Sequence, residues 1–311
     1  MKHLFIINPN CGKGISHERC ANGIVEAMNE MGIKNYEIHV TEGPNDGYNY
    51  AKAQVDKGDP IRVYACGGDG TLWEVVNACA CKPHAQVAAF PLGSGNDFIR
   101  IFGDKKALRD VKDHINGTVM EFDLIKCGDE YAINQCSMGL DAEVCAKQAS
   151  LKKLPLVTGE MAYTLGVLTL FAGKMHKTFT IKIDDDEEFT ANVLFCLAAN
   201  SRWYGGGYFA APKALTYDGE LDFIIVKKDC PKLYLLNLIG KYKKGQHLDW
   251  KRTVFRRGKK ITIKCDKESA VNIDGEVRFG KETTFEIVEK GINFVVPACS
   301  DFMERVKNNN V

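Results

Sequence analysis

The sequence predicts an α/β domain followed by an all-β, sandwich-like domain, and three observations lead to this fold class. Over the first 122 residues, apolar strand-like segments alternate with segments whose apolar residues recur at helical spacing. Beyond them, short segments that alternate apolar and polar residues follow one another, as in a sandwich of strands. Glycine-bearing turns follow three of the early strands. The early alternation predicts a parallel sheet with helices on both faces, and so three layers.

The early elements come in a regular order. KHLFIINP, NYEIHVTEG, IRVYACGG and AQVAAFP are predicted strands, and ERCANGIVEAMNEMG and DGYNYAKAQVDKG are predicted helices between them. A further helix is predicted from Leu72, after the third strand. Six later segments, from FDLIKCGDEYAINQCSMGL to TTFEIVEKGINFVVP, alternate apolar and polar residues and contain polar turns, which predicts an all-β pattern. One helical stretch at 151–173 interrupts it. We expect two abutting domains, 1–122 and 123–311, with a last helical segment that is free to pack back on the first domain.

Composition excludes several classes of protein. The 311 residues are 45% hydrophobic and carry a net charge of +1, so no global field selects nucleic acid as a partner. The twelve cysteines contain no CxxC pair, and the N-terminus has no apolar leader segment. Apolar runs stay shorter than the roughly 18 residues that a membrane span needs. We therefore expect a cytoplasmic protein with reduced cysteines.

The turn at Gly67–Thr71 is the first candidate for chemistry. Its glycines let backbone amides approach an anion closely, and the helix that follows adds unpaired N–H groups and a positive dipole end. Thr71 is placed either to cap that helix or to touch phosphate. Asp69 would repel a bare phosphate, so it suits the turn only if Mg²⁺ bridges the two. A tight turn with a capping aspartate explains this segment equally well when it is considered alone.

Two further turns repeat the pattern. PLGSGND offers the hydroxyl of Ser94 and the carboxylate of Asp97, and INPNCGKG offers Asn8, Gly12 and Gly14. The spacing is not that of a P-loop, and no GxGxxG segment with a ribose-binding acid is present. Parallel sheets bind ligands beyond the carboxyl ends of their strands. Three glycine loops at that edge favour a nucleoside triphosphate.

Together these segments resemble the diacylglycerol kinase catalytic family of lipid kinases, especially its soluble bacterial members. The matching segments, in the family's order and spacing, are INPNCGKG, TEGPNDG, CGGDGTLWEVVNA, PLGSGNDFIR, AANSRWYGGGYFAAPKALTYDGELDFIIV and NIDGE. GGDGT alone is shared with NAD kinases, whereas PLGSGND and NIDGE separate the two families. The resemblance implies a three-layer nucleotide-binding domain, a β-sandwich-like domain, and an active site in the cleft between them. It also implies transfer of the γ-phosphoryl group of Mg-ATP to a hydroxyl of diacylglycerol or a related lipid.

The resemblance assigns roles residue by residue. Glu276 in NIDGE is implied as the general base, and Asp69 and Asp97 as parts of the Mg-ATP site. A structural Mg²⁺ is implied at the DGELD turn, on Asp218 and the backbone carbonyls of Leu215 and Glu220. The positions implied to contact ATP are Asn8, Pro9, Asn10, Cys11, Gly12, Thr41, Gly67, Gly68, Asp69, Gly70, Thr71, Leu72, Trp73, Ser94, Asn96 and Asp97.

Spacing alone leaves alternatives for the later turns. An Asp-Gly pair is a strong hairpin signal, so residues 274–276 and 218–220 are also typical of plain turns. Spacing favours the hairpin for 274–276, and the resemblance reverses that preference. Three successive glycines in RWYGGGYFAAP would weaken a strand, and they suit a loop that passes close to a ligand or metal.

A basic stretch is the remaining local signal. Residues 241–260 hold nine Lys or Arg and one acid, which indicates either an exposed face or a surface for anionic lipid headgroups. Each basic residue near such a membrane contributes ~1 kcal/mol, and Trp250 and Phe255 are placed to insert. We expect peripheral membrane association when the protein is active. The resemblance also implies a homodimer.

Three functions are compatible with GGDGT alone: a lipid kinase, a soluble-substrate kinase of the NAD kinase type, and a non-enzymatic nucleotide-binding regulator. The second should lack PLGSGND and the paired DGELD and NIDGE turns, and the third should have lost Asp69 or Glu276. All of these are present, so the sequence favours the lipid kinase. The acceptor stays open among diacylglycerol, monoacylglycerol, sphingoid bases, ceramide and other lipid alcohols. The stretch 151–173 is suited either to an acyl channel or to the core.

Overall fold

The computed structural model describes residues 1–11, 16–151, 177–228 and 240–309. Gly12, Gly14 and the predicted helical stretch 151–173 apart from its first residue lie outside them. The chain divides into two compact units, Met1–Asp123 with Glu289–Val311, and Leu124–Val288. Among the described residues, no helix is long and apolar enough to cross a membrane.

Strands and helices alternate early in the chain, and strands dominate later. Short 3-10 turns lie at Phe98–Phe102 and Ala107–Arg109. The elements in chain order are β1 (Lys2–Ile7), α1 (His17–Glu30), β2 (Tyr36–Val40), α2 (Asp46–Val55), β3 (Ile61–Gly67), α3 (Asp69–Cys79), β4 (Ala85–Pro91), α4 (Val111–Ile115), β5 (Thr118–Cys127), β6 (Glu130–Ala132), β7 (Gln135–Gly139), α5 (Leu140–Leu151), β8 (Lys177–Ile183), β9 (Phe189–Ala199), β10 (Leu221–Lys227), β11 (Thr253–Gly258), β12 (Lys260–Ile273), β13 (Glu276–Val296) and α6 (Phe302–Lys307).

The first unit is built on a parallel sheet in the order β4-β3-β1-β2, and the end of β13 adds a further parallel strand beside β4. Ser16 caps α1 by accepting from the Arg19 amide at 3.2 Å. On one face of β1, Phe5 packs into the core that α1 and α4 cover. On the other face, Ile6 lies against Gly47 of α2. Helices therefore cover both faces, which confirms the three predicted layers.

Five phenylalanine rings close the core of the first unit. They come from the 3-10 turn, β5, the end of β13 and α6, and neighbouring ring centroids lie 5.2–6.2 Å apart. The rings are those of Phe98, Phe102, Phe122, Phe294 and Phe302, each at most 2% exposed. Residues 289–309 thus supply part of this unit's interior, although they follow the whole second unit in the chain.

The second unit is antiparallel. Its strands run in the order β11-β10-β9-β7-β12-β13, and β8 pairs with both β9 and β12. Inward-facing residues from most of these strands form its core, including Phe179, Phe223 and Phe285. An α/β unit with a β-rich unit confirms the predicted fold class.

One boundary differs from the sequence prediction. Helix α3 begins at Asp69 and not at Leu72, because Gly68 is extended (φ −98°, ψ −165°) and occupies the N-cap. The alternating segment TVFRRGKKITIKC contains β11 and the start of β12. The two strands separate at Lys259, where the Asp184 carboxylate accepts the amides of Lys259 and Lys260 at 2.9 and 2.7 Å.

Candidate functional site

The loops after β3 and β4 pack backbone against backbone. The Gly67 carbonyl accepts from the amides of Leu92 and Gly93 at 2.9 and 3.0 Å, and from the Asn96 side chain at 3.0 Å. A Cβ at Gly93 would lie 2.4 Å from the Gly68 Cα. No larger residue than glycine fits at 93 without moving the backbone of the neighbouring loop.

Asp69 joins the same two loops. Its two carboxylate oxygens accept the backbone amides of Asn96 and Asp97, both at 2.8 Å. A Cβ at Gly95 would lie 2.5 Å from Asp69 Oδ2 and 4.0 Å from Asp97 Oδ2. Both carboxylates therefore lie beside the space that a side chain at position 95 would occupy.

A lysine that the sequence analysis missed lies beside these loops. The half-buried Lys105 donates from Nζ to the carbonyl of Gly93 and, at 3.2 Å, to that of Ser94. Burial lowers its pKa, and nearby Arg109 lowers it further. Asp69 attracts the ammonium across the loop. The loop thus carries a positive group next to its acids.

Two arginines flank the lysine. Arg100 donates from Nε to Asp97 Oδ1 at 3.0 Å, and Arg109 donates from Nε to the Pro91 carbonyl at 3.3 Å. The segment FIRIFGDKKALRD has no recognisable spacing of its basic residues. No sequence signal marks them, because their role depends on how the segment folds back along β4.

The loop after β1 lies at the start of α3. Asn8 donates from Nδ2 to Thr71 Oγ1 at 3.4 Å, and its Oδ1 accepts the Asn10 amide at 2.9 Å. A Cβ at Gly68 would lie 3.8 Å from Cys11 Sγ. Burial raises the pKa of the Cys11 thiol. The described part of this loop, residues 8–11, therefore lies against the turn after β3, which itself packs on the turn after β4.

Glu74 organises the loop that contains Thr41. Its two carboxylate oxygens accept the amides of Asn45 at 2.9 Å and Tyr48 at 3.1 Å, where α2 begins. A Cβ at Gly47 would lie 2.5 Å from Glu74 Oε2. Thr41 is buried, and its amide donates to the last carbonyl of β1 at 2.9 Å. Glu74 is a second residue that the sequence analysis missed.

Leu72 and Trp73 are buried side chains of α3, at 6% and 7% exposure. The Leu72 amide donates to the Gly68 carbonyl at 3.1 Å, so it already has a partner. The amides without a partner within the helix belong to residues 68–71, where the helix begins. A ligand at the start of α3 would therefore meet the amides of residues 68–71, and Leu72 and Trp73 lie one step further into the helix.

Glu276 follows a tight turn in the second unit. Asp274 and Gly275 have φ of 51° and 100°, as in a type I′ hairpin turn. The Asp274 carboxylate accepts the amides of Ile133 at 2.7 Å and Gln135 at 2.6 Å. The predicted hairpin alternative is therefore the local geometry, and that turn fixes the backbone that carries the half-buried Glu276.

The DGELD turn surrounds an arginine. Arg257 donates from Nη2 to Asp218 Oδ2, contacts Glu220 Oε2 from Nη1 at 3.2 Å, and donates from Nε to Asp222 Oδ1 at 2.9 Å. Burial raises the pKa of Asp222 to about 6, against the lowering effect of Arg257. Leu215 lies at the start of this segment and is half-buried. Across the described parts of the chain, no three His, Cys, Asp or Glu side chains converge as metal ligands.

Comparison with known proteins agrees with this arrangement. The family model of the diacylglycerol kinase catalytic domain matches residues 2–127. The model of the YegS C-terminal NAD kinase beta sandwich-like domain matches residues 134–296. The diacylglycerol kinase of Bacillus subtilis is 25% identical over 301 residues, covering 96% of this chain and 97% of its own. That of Staphylococcus aureus strain MRSA252 is 26% identical over 313 residues, covering 98% and 96%.

Solved structures share the fold. A diacylglycerol kinase from Bacillus anthracis superposes with a TM-score of 0.69 at 20% identity, over 94% of this chain and 96% of its own. Yeast NADH kinase in complex with NADH superposes with a TM-score of 0.50 at 12% identity, over 99% and 86%. At such identities the likeness concerns the fold alone. The family models cover most of the sequence, and the second alone covers more than half of it. The chain belongs to the diacylglycerol kinase family of lipid kinases.

Proposed function

We propose that this protein transfers the γ-phosphoryl group of Mg-ATP to a hydroxyl group of diacylglycerol or a closely related lipid. The observation that carries this proposal is that the glycine turns after β3 and β4, together with residues 8–11, lie at the start of α3 beside the carboxylates of Asp69 and Asp97. Glycine backbones and the amides of a helix N-terminus suit phosphate oxygens.

The acids of this site fit a magnesium ion. The carboxylates of Asp69 and Asp97 both lie beside the space that a side chain at position 95 would occupy. In nucleotide sites, Mg²⁺ binds one or two carboxylates together with phosphate oxygens. Asp69 and Asp97 would hold the ion. When bound, Mg²⁺ offsets negative charge that develops on the transferred group. The two amides that Asp69 accepts keep its carboxylate in place.

Basic residues of the chain support the same chemistry. Phosphoryl transfer depends on positioning and charge neutralisation more than on covalent help from the protein. Lys105 and Arg100 place positive charge along the loop that carries Ser94 and Asp97. They would favour the triphosphate over the bare nucleoside.

Glu276 is the proposed general base. A carboxylate within hydrogen-bonding reach of the acceptor hydroxyl takes its proton, which typically contributes ~10²–10⁴-fold to the rate. The type I′ turn and the Asp274 carboxylate fix the strand start from which Glu276 projects. Substitution of Glu276 tests this role.

The test is transfer of label from γ-labelled ATP with Mg²⁺ to diacylglycerol in mixed micelles, sphingosine, ceramide and NAD. We expect label in a lipid product for wild type and for Glu282→Gln, an exposed control on the same strand. Glu276→Gln should lose transfer and keep ATP binding. Label in NAD alone would overturn the lipid assignment in favour of the NAD kinase alternative, and an active Glu276→Gln would overturn the base assignment.

We also propose peripheral binding to anionic membrane through a basic-aromatic surface, defined by residues 208–213 and 241–256. Its aromatic side chains pack on one core cluster and carry basic groups above their rings. The pairs are Lys213 on Phe255 at 5.1 Å, Lys243 on Tyr208 at 5.8 Å and Arg252 on Trp250 at 5.5 Å. Amphipathic rings beside cations suit the headgroup layer.

Flotation with vesicles that contain phosphatidylglycerol tests this surface. Changing Lys243, Lys244 and Lys251 to Gln should weaken binding, since each lysine contributes ~1 kcal/mol near an anionic surface. A control with Lys182, Lys267 and Lys281 changed to Gln should bind as wild type does. If both variants lost vesicle binding equally, the basic-aromatic surface would not be the membrane-binding site.

The homodimer implied by the resemblance is a separate proposal. Light scattering tests it by measuring the molar mass of the protein in solution.

A further inference from the structure

One guanidinium holds three acidic side chains of the DGELD turn. Each nitrogen of Arg257 faces a different carboxylate: Nη2 faces Asp218, Nη1 faces Glu220 and Nε faces Asp222. Arginine presents its donors in a rigid planar fork, so a full set of partners fixes both its position and its orientation. The turn is therefore organised around a positive charge that belongs to the chain.

Strand pairing places this arginine. Asp222 on β10 and Arg257 on β11 are direct partners in the antiparallel register. Asp222 has no exposed surface, and a buried carboxylate is costly without a countercharge. The pairing of β10 with β11 thus places Arg257 beside the turn.

The same geometry disfavours the divalent ion that the resemblance implies. The guanidinium already occupies the position among Asp218 Oδ2, Glu220 Oε2 and Asp222 Oδ1. Mg²⁺ needs a nearly ideal octahedral shell of oxygens, and an ion on Asp218 would lie next to the guanidinium. Two positive groups at that separation repel each other strongly in a partly buried site. The residues at this turn therefore do not fit a structural Mg²⁺.

We propose that Arg257 supplies the positive charge that the resemblance assigns to a structural metal, so that the DGELD turn is built without a divalent cation. This inference does not rest on the identity of the acceptor lipid or on ATP. It concerns the second unit, whereas the Mg-ATP residues Asp69 and Asp97 belong to the first.

Thermal unfolding of the full, nucleotide-free chain tests the proposal. Wild type should have the same melting temperature in EDTA and in Mg²⁺. Arg257→Gln removes the countercharge from three carboxylates, so its melting temperature in EDTA should fall by roughly 10 °C. Mg²⁺ should restore part of that loss, because the freed oxygens then form a cation site. Arg256→Gln is the matched control, since Arg256 is exposed and its guanidinium contacts its own neighbour's carbonyl.

The opposite pattern would overturn the inference. If EDTA lowers the melting temperature of wild type, and Asp218→Asn removes that sensitivity, then a metal holds the turn. If Arg257→Gln is too unstable to purify, the wild-type and Asp218→Asn chains still decide the question. The readout is unfolding, so it is independent of whether the chain phosphorylates any lipid.

Discussion

At the scale of single residues, Gly93 packs directly against the backbone of Gly68 in the candidate site. A methyl group at 93 would meet the Gly68 Cα at 2.4 Å, so one of the two backbones would have to shift. We expect Gly93→Ala to destabilise the fold by ~1–3 kcal/mol and to weaken ATP binding, as overpacking does elsewhere. Denaturant unfolding and an ATP titration measure the two effects.

The control for that prediction is Gly23→Ala on α1. No atom lies within 4 Å of a Cβ at Gly23, so alanine should stabilise the helix by about 0.5–1 kcal/mol. A Gly93→Ala variant that binds ATP as wild type does would show that the two loops separate easily.

Lys105 and Lys106 are adjacent, and they make a second comparison at this scale. Lys105 is half-buried against the loop at 93–94, whereas Lys106 is exposed. We expect Lys105→Gln to weaken ATP binding roughly tenfold, because a charged hydrogen bond to phosphate is lost. Adenosine affinity should not change, and Lys106→Gln should behave as wild type. Calorimetry with ATP and adenosine checks this, and an equal loss for both ligands would mean that Lys105 only braces the loop.

At the scale of elements, Glu74 couples helices α2 and α3. It accepts two amides from the start of α2, and both carboxylate oxygens are needed for this. Glu74→Gln replaces one oxygen with an NH₂ group that faces an N–H donor, at a cost of about 1–3 kcal/mol. We expect faster hydrogen exchange over residues 42–48 and a higher KM for ATP. Glu26→Gln, an exposed change on α1, should leave both unchanged.

Much of this architecture follows from sequence pattern, and the remainder follows from register. Apolar periodicity located β1 to β4 and their helices, and the parallel-sheet rule brought the three glycine loops to one edge. The partners of Glu74, Lys105 and Arg257 lie between 11 and 39 residues away and share no motif spacing. Each of these contacts depends on which residues the folded segments place opposite one another. The apolar and polar pattern of the sequence does not determine that pairing.

At the scale of the whole molecule, stability should depend on pH through buried carboxyl groups, and Asp141 can be tested by itself. Asp141 is buried, accepts from Ser137 Oγ at 2.6 Å and accepts from the Tyr204 hydroxyl. Burial raises its pKa to about 7. A pKa raised by folding gives stability that is full near pH 4 and is lost as pH rises toward 7.

We therefore expect the free energy of unfolding of wild type to fall, relative to Asp141→Asn, between pH 4 and 7. The slope of the difference is at most about 1.4 kcal/mol per pH unit. Urea titrations at several pH values measure it. His3, His114 and His247 have lowered pKa values and Asp222 has a raised one, but all four are common to both proteins and cancel in the difference. If the free energy of unfolding had the same pH dependence in both proteins, Asp141 would ionise as readily in the folded as in the unfolded chain.

The discontinuous first unit has a consequence for how the protein is made. Phe294 and Phe302 complete a core whose other rings come from residues 98–122. During synthesis, residues 124–288 leave the ribosome before Phe294 and Phe302 do. Domains usually fold in the order of synthesis, but here the segment translated in the middle can finish first. Until then, the nascent nucleotide-binding half exposes an unfinished apolar face, and that interval is when chaperones would be expected to engage it.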